Sequence, residues 1–301
     1  MQDLQPLKAL LDEMGCAYLE EEPMCDHTTF KIGGPADLFV KPASLQAACR
    51  VVEACREMEI PLLPVGGGSN LLVSDMGIRG VVLHTGGLGE IDFDGGCLLS
   101  CSAGVKLSRI CSYALEKSLS GLEFAWGIPG TCGGALMMNA GAYGGEMSHI
   151  VVEATHIDEQ GNLVTLTAEE MSLGYRSSVY SANGGVIVSM KLRMTPGETE
   201  LIRMQMEELM QRRRDKQPLD MPSAGSVFKR PTGQFAGTLI EQCGLKGCRV
   251  GGAMVSEKHA GFIVNCGGAT SSDVRRLIEK IKEDVFLQTG VALECEVRFV
   301  K

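Results

Sequence analysis

Two glycine-rich stretches carry the first chemical signal. One reads Leu62-Leu63-Pro64-Val65-Gly66-Gly67-Gly68-Ser69-Asn70-Leu71-Leu72-Val73. Consecutive glycines let a main chain approach a ligand closely and adopt positive φ. Successive amide N–H groups in such a turn form a nest for anions. Ser69 and Asn70 add side-chain donors, so Val65 to Asn70 could hold a pyrophosphate. An ordinary tight hairpin turn explains the composition equally well. The pattern is not the Rossmann G-x-G-x-x-G, because an apolar β-like run follows where that motif needs a helix; nor does a Gly-Lys-Ser/Thr follow, as a P-loop requires.

The second stretch runs from Trp126 to Gly145 and includes Pro129, Gly130, Thr131, Gly133, Gly134, Asn139, Gly141 and Tyr143. So many small residues let a flat or extended ligand lie against the main chain, whose N–H and C=O groups can read a polar ring edge. Close helix–strand packing with turns is the plainer alternative. Two such loops in one half, neither of Rossmann type, point to a bulky dinucleotide such as FAD. A third segment, Leu293 to Phe299, alternates in polarity. Period two puts Glu294, Glu296 and Arg298 on one strand face and Leu293, Cys295, Val297 and Phe299 on the other. By itself this describes an edge strand with a solvated polar face.

The elements that must position these residues follow from periodicity and punctuation. Residues 4–15 carry apolar positions at helical spacing and stop at Gly15. A strand over 37–41 precedes a helix capped by Ser44, with Ala47, Ala48, Val51, Val52 and Cys55 on one face. Strands are predicted at 61–65, 71–73, 81–84, 90–93 and 98–102, then a helix over 106–117. A hairpin over 150–157 and 163–166 turns at 159–162, and a strand covers 186–194. Pro196-Gly197 marks a boundary before a polar helix over 198–216. Beyond it lie helices near 235–242 and 272–288 and strands near 250–255, 261–265 and 293–300. The order is β-rich with interspersed helices, hence α+β rather than doubly wound.

Composition narrows the class. The chain has 301 residues, enough for about two domains. A net charge of −9 disfavours a nucleic-acid partner. The one basic cluster, Arg212, Arg213, Arg214 and Lys216, reads as a solvated helix face. No stretch approaches the ~20 apolar residues that span a bilayer, so no membrane partner is expected. The start, Met1-Gln2-Asp3-Leu4, shows no signal-peptide pattern. Twelve cysteines without a Cys-x-x-Cys pair read as reduced thiols of a cytoplasmic protein. The five histidines lack metal-ligand spacing, and no metal is expected.

The two loops, with Thr29 to Asp37 before them, resemble the UDP-N-acetylenolpyruvoylglucosamine reductase family. The resemblance continues through Gly174-Tyr175-Arg176-Ser177-Ser178, Ser223 to Pro231, Gly251 to Phe262 and Leu293 to Arg298. It spans roughly residues 28–300 in the family's order. What it implies is an FAD-binding region of the vanillyl-alcohol-oxidase (PCMH) type over 1–195, with two α+β subdomains at about 1–80 and 81–195. A smaller α/β substrate-binding domain over 196–301 would follow, its last strand packing back toward the flavin site. The implied cofactors are non-covalent FAD and NADPH as reductant, and the implied substrate is a UDP-linked enolpyruvyl sugar. A monomer or weak oligomer is expected. The short chain resembles the family's compact type, which lacks an inserted loop with a substrate-contacting tyrosine.

Hydride addition to an enol ether needs a cation, an acid or hydrogen-bond donor, and a proton source. By the resemblance, Ser226 is the proton donor, and Arg176 and Glu296 stabilise the enolate-like intermediate. Without it, Ser226 would be a turn serine and Arg176 a surface ion-pair partner of Glu169 or Glu170. Tyr143, Lys229 and Arg298 are candidate substrate contacts, Arg298 toward the diphosphate. Arg230 stands where many members have asparagine, and Lys229 and Arg230 lie close to Ser226 in sequence. Two rivals remain at this stage. A flavin oxidase on the same scaffold would share the glycine loops but not the Gly-Ser-x-Phe-Lys and Glu-Val-Arg segments. A non-catalytic nucleotide-sugar binding protein would not need Arg176, Ser226 and Glu296 together.

Overall fold

The computed structural model describes residues 3–301, so the Met1-Gln2 part of the N-terminal reading lies outside the described residues. The fold is α+β. The chain forms two compact units. One takes the chain up to Glu20, then Leu38–Gly67 and Gly80–Gln211; the other takes Glu21–Asp37, Gly68–Arg79 and Arg212–Lys301. Compactness thus groups 21–37 and 68–79 with the C-terminal third, and 196–211 with the first unit. The physical reason is core membership. Phe30, Ile32 and Leu72 are buried among the apolar side chains of the last third. Ile202 and Met206, from the polar helix Thr199–Lys216, are buried in the first unit's core.

A four-stranded sheet runs in the order Ala17–Pro23, Pro35–Lys41, Ile78–His84, Leu62–Val65. Leu62–Val65 is parallel to Ile78–His84, with Val65 opposite His84. Parallel neighbours need a crossover of about a dozen residues, and here the crossover begins with the first glycine turn. The helix Leu45–Glu57 starts where the Ser44 hydroxyl accepts the Ala47 N–H at 3.1 Å. Its Ala48, Val51, Val52 and Cys55 pack with Leu38, Val40, Val81 and Leu83, and with Leu7 and Leu11 of the helix Gln5–Glu13. Each fully buried Leu or Val there contributes about 1.5–3 kcal/mol.

A second sheet, antiparallel and within the first unit, has the order Leu163–Thr167, Val151–Ile157, Val186–Arg193, Leu98–Ser102, Ile91–Phe93. The hairpin turn is closed by Asp158 Oδ1, which accepts the Gln160 and Asn162 N–H groups at 2.9 and 2.8 Å. The glycine stretch 127–145, read as a loop, contains a short helix, Cys132–Met137. Its glycines hid the apolar spacing. Cys132, Ala135 and Leu136 are buried at i, i+3 and i+4 among Leu99, Cys101, Leu107, Ile110 and Met190.

The second unit centres on an antiparallel sheet ordered Ser223–Ser226, Phe262–Asn265, Ala253–Val255, Arg249–Val250. The helices Ala236–Gln242 and Ser271–Thr289 supply Leu239, Ile240, Val274, Leu277, Ile278 and Ile281 to its core. Thr270 and Asp273 form a capping box at the start of Ser271–Thr289, and Asp75 accepts the Ser271 and Ser272 N–H groups at 2.7 and 3.0 Å.

Two expectations are corrected here. The strand predicted over 293–300 is shorter, Arg298–Val300, and pairs in parallel with Leu71–Val73. Before Arg298 the chain bonds the irregular segment 227–229 instead, through an isolated Phe228–Cys295 bridge, so no continuous ladder forms. Phe299, read on the same face as Leu293 and Val297, is exposed while those two are buried. The basic run is not uniformly solvated either: Arg213 is buried while Arg212, Arg214 and Lys216 are exposed, because each helical residue turns by about 100°. Among the described residues no helix is long and apolar enough to cross a membrane.

Candidate active site

The two glycine stretches meet inside the first unit. A Cβ built on Gly66 would lie 2.2 Å from the Thr131 hydroxyl oxygen, and one on Gly67 would lie 2.8 Å from the Gly130 Cα. No side chain fits between these main chains, so glycine is required at 67 by close approach. The second stretch is anchored from behind: Leu107 N–H donates to the Gly130 carbonyl at 3.1 Å, Cys132 N–H to Val105 at 2.8 Å and Gly133 N–H to Ala103 at 2.9 Å. Gly134 differs. It is exposed, its φ is ordinary, and a Cβ there would meet only the Thr131 hydroxyl oxygen at 3.6 Å. Neither packing nor conformation demands that glycine. Bare main chain at the surface, beside two abutting glycine turns, fits the close approach of a flat, pyrophosphate-linked cofactor such as FAD. Val65 to Gly67 and Pro129 to Gly134 would hold it.

Gly67→Ala tests this cradle. The added methyl group strikes backbone rather than a flexible side-chain end, so the turns must separate, at a cost of about 1–3 kcal/mol. FAD affinity, measured by flavin fluorescence titration, is expected to fall about tenfold or more. Wild-type affinity in a folded variant would refute the assignment.

Farther along the same unit, Gly141–Ala142 pairs with Gly145–Glu146. Tyr143 and Gly144 make the turn, both with positive φ (54° and 89°), as a tight two-residue hairpin requires. Tyr143 stands 43% exposed at the tip. Arg176 donates from Nη2 to the Gly141 carbonyl at 3.1 Å and lies over the Tyr175 ring at 5.0 Å. Glu146 is nearby: the Ser148 hydroxyl, then the Asn139 amide and the His149 and Arg176 charges, hold its carboxyl below the usual range against a burial effect of opposite sign. Asn139 is fully buried, with its N–H groups on Glu146 and Gly174 and its oxygen accepting from Ser148 N–H.

The second unit gathers another set. The strand Ser223–Ser226 is irregular between its two ends, where Gly225 takes φ 76°, and Ser226 follows, paired with Phe262. The residue after Ser226, Val227, accepts the Glu296 N–H on its carbonyl at 2.7 Å. Asn70 clamps the far side. Its Nδ2 donates to the Glu296 carbonyl at 3.2 Å, and its own carbonyl accepts the Arg298 N–H at 3.0 Å. Residues 70, 227, 296 and 298 are thus one backbone-braced cluster, with Ser226 next to Val227 in sequence. Thr29 joins it through a 2.7 Å bond from its hydroxyl to the Ser223 carbonyl. Ser69 is half-buried beside it in sequence, and Gly68 takes φ 59° with no room for a Cβ against His27 O. Arg298 is exposed. Lys229 pairs with Glu294 at 3.3 Å, and Arg230 lies over the Phe235 ring at 4.4 Å, so both bases have partners other than Ser226.

Some features had no sequence signal. The Glu146–Ser148–Asn139 network was invisible because its members look like loop residues. The one available hint was Asn139 itself, since asparagine tolerates the left-handed region that it adopts with φ 40°. His259 is structural: its Nδ1 accepts the Gly261 N–H at 3.1 Å, its ring meets Phe262 edge-on, and burial lowers its pKa. The cysteines are all free thiols. A hydrogen bond to Cys101, together with burial, raises Cys132; burial lifts Cys55 to about 12. Such buried thiols pack rather than react. Among the described residues, no group of three His, Cys, Asp or Glu side chains is placed to hold a metal ion.

A family model described as the C-terminal domain of UDP-N-acetylenolpyruvoylglucosamine reductase matches residues 217–300, and an FAD binding domain model matches residues 36–167. The chain is 48% identical over 283 residues to the UDP-N-acetylenolpyruvoylglucosamine reductase of Lachnoclostridium phytofermentans, covering 93% of this chain and 91% of that one. To the protein of the same name from Agathobacter rectalis it is 47% identical over 294 residues, covering 94% and 93%. The crystal structure of UDP-N-acetylenolpyruvylglucosamine reductase from Thermus caldophilus superposes with a TM-score of 0.81 at 34% identity, covering 95% of this chain and 99% of that one. Family models over both units and near-full-length relatives with one shared name make the chain a member of the UDP-N-acetylenolpyruvoylglucosamine reductase family, an FAD-dependent oxidoreductase of peptidoglycan precursor synthesis.

Proposed function

We propose that the protein reduces UDP-N-acetylglucosamine enolpyruvate to UDP-N-acetylmuramate with NADPH as the electron source, in the cytoplasm. Non-covalent FAD, which Val65 to Gly67 and Pro129 to Gly134 would hold, would, once reduced by NADPH, supply a hydride to the enolpyruvyl double bond. The chain's own residues handle the charge and the proton. The Arg176 guanidinium holds the substrate carboxylate, which two parallel N–H groups can do better than an ammonium. The Glu296 carboxyl shares that role as acid or hydrogen-bond donor, and the Ser226 hydroxyl delivers the proton to the carbon next to the carboxylate. One hydride and one proton thus saturate one double bond.

The observation that carries this reading is the hydrogen bond between Val227 O and Glu296 N–H. It supports the reading by bracing the backbone of Glu296 against the residue that follows Ser226. The free thiols support a reducing compartment. Anaerobic NADPH oxidation followed with and without the enolpyruvyl sugar tests the reaction. Stoichiometric, substrate-dependent oxidation is expected; oxidation indifferent to the sugar would reject it.

Arg298, exposed beside this cluster, is assigned to the substrate diphosphate, with Lys229 and Tyr143 as further substrate contacts. Arg298→Ala is expected to raise KM about tenfold, with kcat held within about twofold, because a diphosphate contact remote from the reacting carbons is made equally in ground and transition states. A fall in kcat at unchanged KM would remove Arg298 from substrate binding.

A further inference from the structure

We propose that Asn139 is a positioning residue whose buried amide holds the turn that presents Arg176. The idea rests on the reading of Arg176 as the cation for the substrate carboxylate. Arg176 occupies a turn closed by reciprocal bonds, Gly174 N–H to Ser177 O at 3.1 Å and Ser177 N–H to Gly174 O at 3.2 Å. Within that turn Arg176 has φ 55°, the left-handed region. A non-glycine residue there is strained and persists only where its surroundings over-determine it. The restraint converges from one direction, the C-terminal end of the short helix Cys132–Met137. Asn139 Nδ2 donates to the Gly174 carbonyl at 3.1 Å, which leads the turn. The Ser178 and Ser181 hydroxyls donate to the Met137 carbonyl at 2.8 and 3.2 Å, which fastens the segment that follows it.

Asn139 also governs what the guanidinium touches. Its Nδ2 donates to Glu146 Oε1 at 3.1 Å, and its Oδ1 accepts the Ser148 N–H at 2.9 Å. These bonds tie down the end of the Gly141–Glu146 hairpin, whose Gly141 carbonyl receives Arg176 Nη2. One fully buried amide therefore braces both the turn that carries the arginine and the hairpin that receives it. It spends both N–H groups and its oxygen on protein partners. Its effect on chemistry then runs through Arg176, not through contact with a cofactor.

Asn139→Gly keeps the left-handed backbone and deletes every side-chain bond. Stopped-flow spectroscopy separates flavin reduction by NADPH from flavin reoxidation by the enolpyruvyl sugar. Reduction is expected to stay within about twofold of wild type, while reoxidation slows about 10–100-fold, as a misplaced catalytic group does. In an Arg176→Lys background the same change should add little, since coupled residues are non-additive. Asn139→Asp, nearly equal in volume and tolerant of positive φ, replaces the donor by an acceptor facing two oxygens and is expected to give the same split if the glycine variant does not fold. Wild-type reoxidation in either folded variant overturns the proposal. Loss of FAD or equal slowing of both half-reactions also overturns it, since that marks a purely structural role. If Arg176→Lys alone leaves reoxidation unchanged, the arginine reading fails, whereas a slow Arg176→Lys with a normal Asn139→Gly rejects only the positioning role.

Discussion

Ser226→Ala is expected to retain FAD, accept electrons from NADPH at near the wild-type rate, and lose reoxidation by the enolpyruvyl sugar by about 10²–10⁴-fold, the usual worth of a positioned proton donor. The reason for the split is that only the second half-reaction needs a proton on carbon. The fold should survive. The backbone bonds around Ser226 run through Val227 to Gly261 and Glu296, and its strand pairs with Phe262–Asn265 whatever the side chain. Anaerobic stopped-flow absorbance checks this directly: the oxidised flavin band bleaches with NADPH and fails to return on adding the sugar. Ser226→Cys, which restores a dissociable proton, is expected to recover part of the loss. Survival of both half-reactions in the alanine variant would remove Ser226 as proton donor.

Arg176→Lys is the second large effect, an expected fall of about 10²–10³-fold in kcat, comparable with removing one oxyanion donor. Charge is kept, so a purely electrostatic surface role predicts almost no change. Lysine cannot hold a carboxylate with two parallel bonds, nor donate to the Gly141 carbonyl from the same planar fork. Flavin reduction by NADPH should be untouched. Steady-state kinetics with the sugar varied, alongside the reduction half-reaction alone, distinguishes the outcomes. A twofold change or less would return Arg176 to a surface role.

How much of this was legible beforehand varies by residue. The glycine turn 66–68 was conspicuous, yet its chemistry was not, because a tight hairpin and a phosphate nest share one composition. A hairpin is ruled out only by tertiary pairing, since Leu62–Val65 runs parallel to Ile78–His84 and Leu71–Val73 parallel to Arg298–Val300. Helix and strand positions with clean apolar periodicity, such as the Ser44-capped helix and the 150–167 hairpin, were readable because burial on one face imposes that period. The helix Cys132–Met137 was hidden because glycine and small residues blur the pattern. The segment 293–300 read as one strand since alternation is a local property. Its partner changes from 227–229 to 71–73 along its length, and no local signal encodes a change of partner.

The sequence by itself determined an α+β chain, the two glycine stretches, and ordered blocks specific enough to name a reductase family. Each is a matter of residue type and order along the chain. The tertiary structure decided that Asn70, Glu296 and Arg298 are braced together with Val227, the neighbour of Ser226, that Asn139 spends its amide on the Arg176 turn, and that residues 21–37 and 68–79 group with the last third. These are long-range hydrogen bonds and shared burial, and their physical origin is the same. A polar backbone group taken out of water must find a partner wherever the fold supplies one, and sequence distance does not enter that requirement.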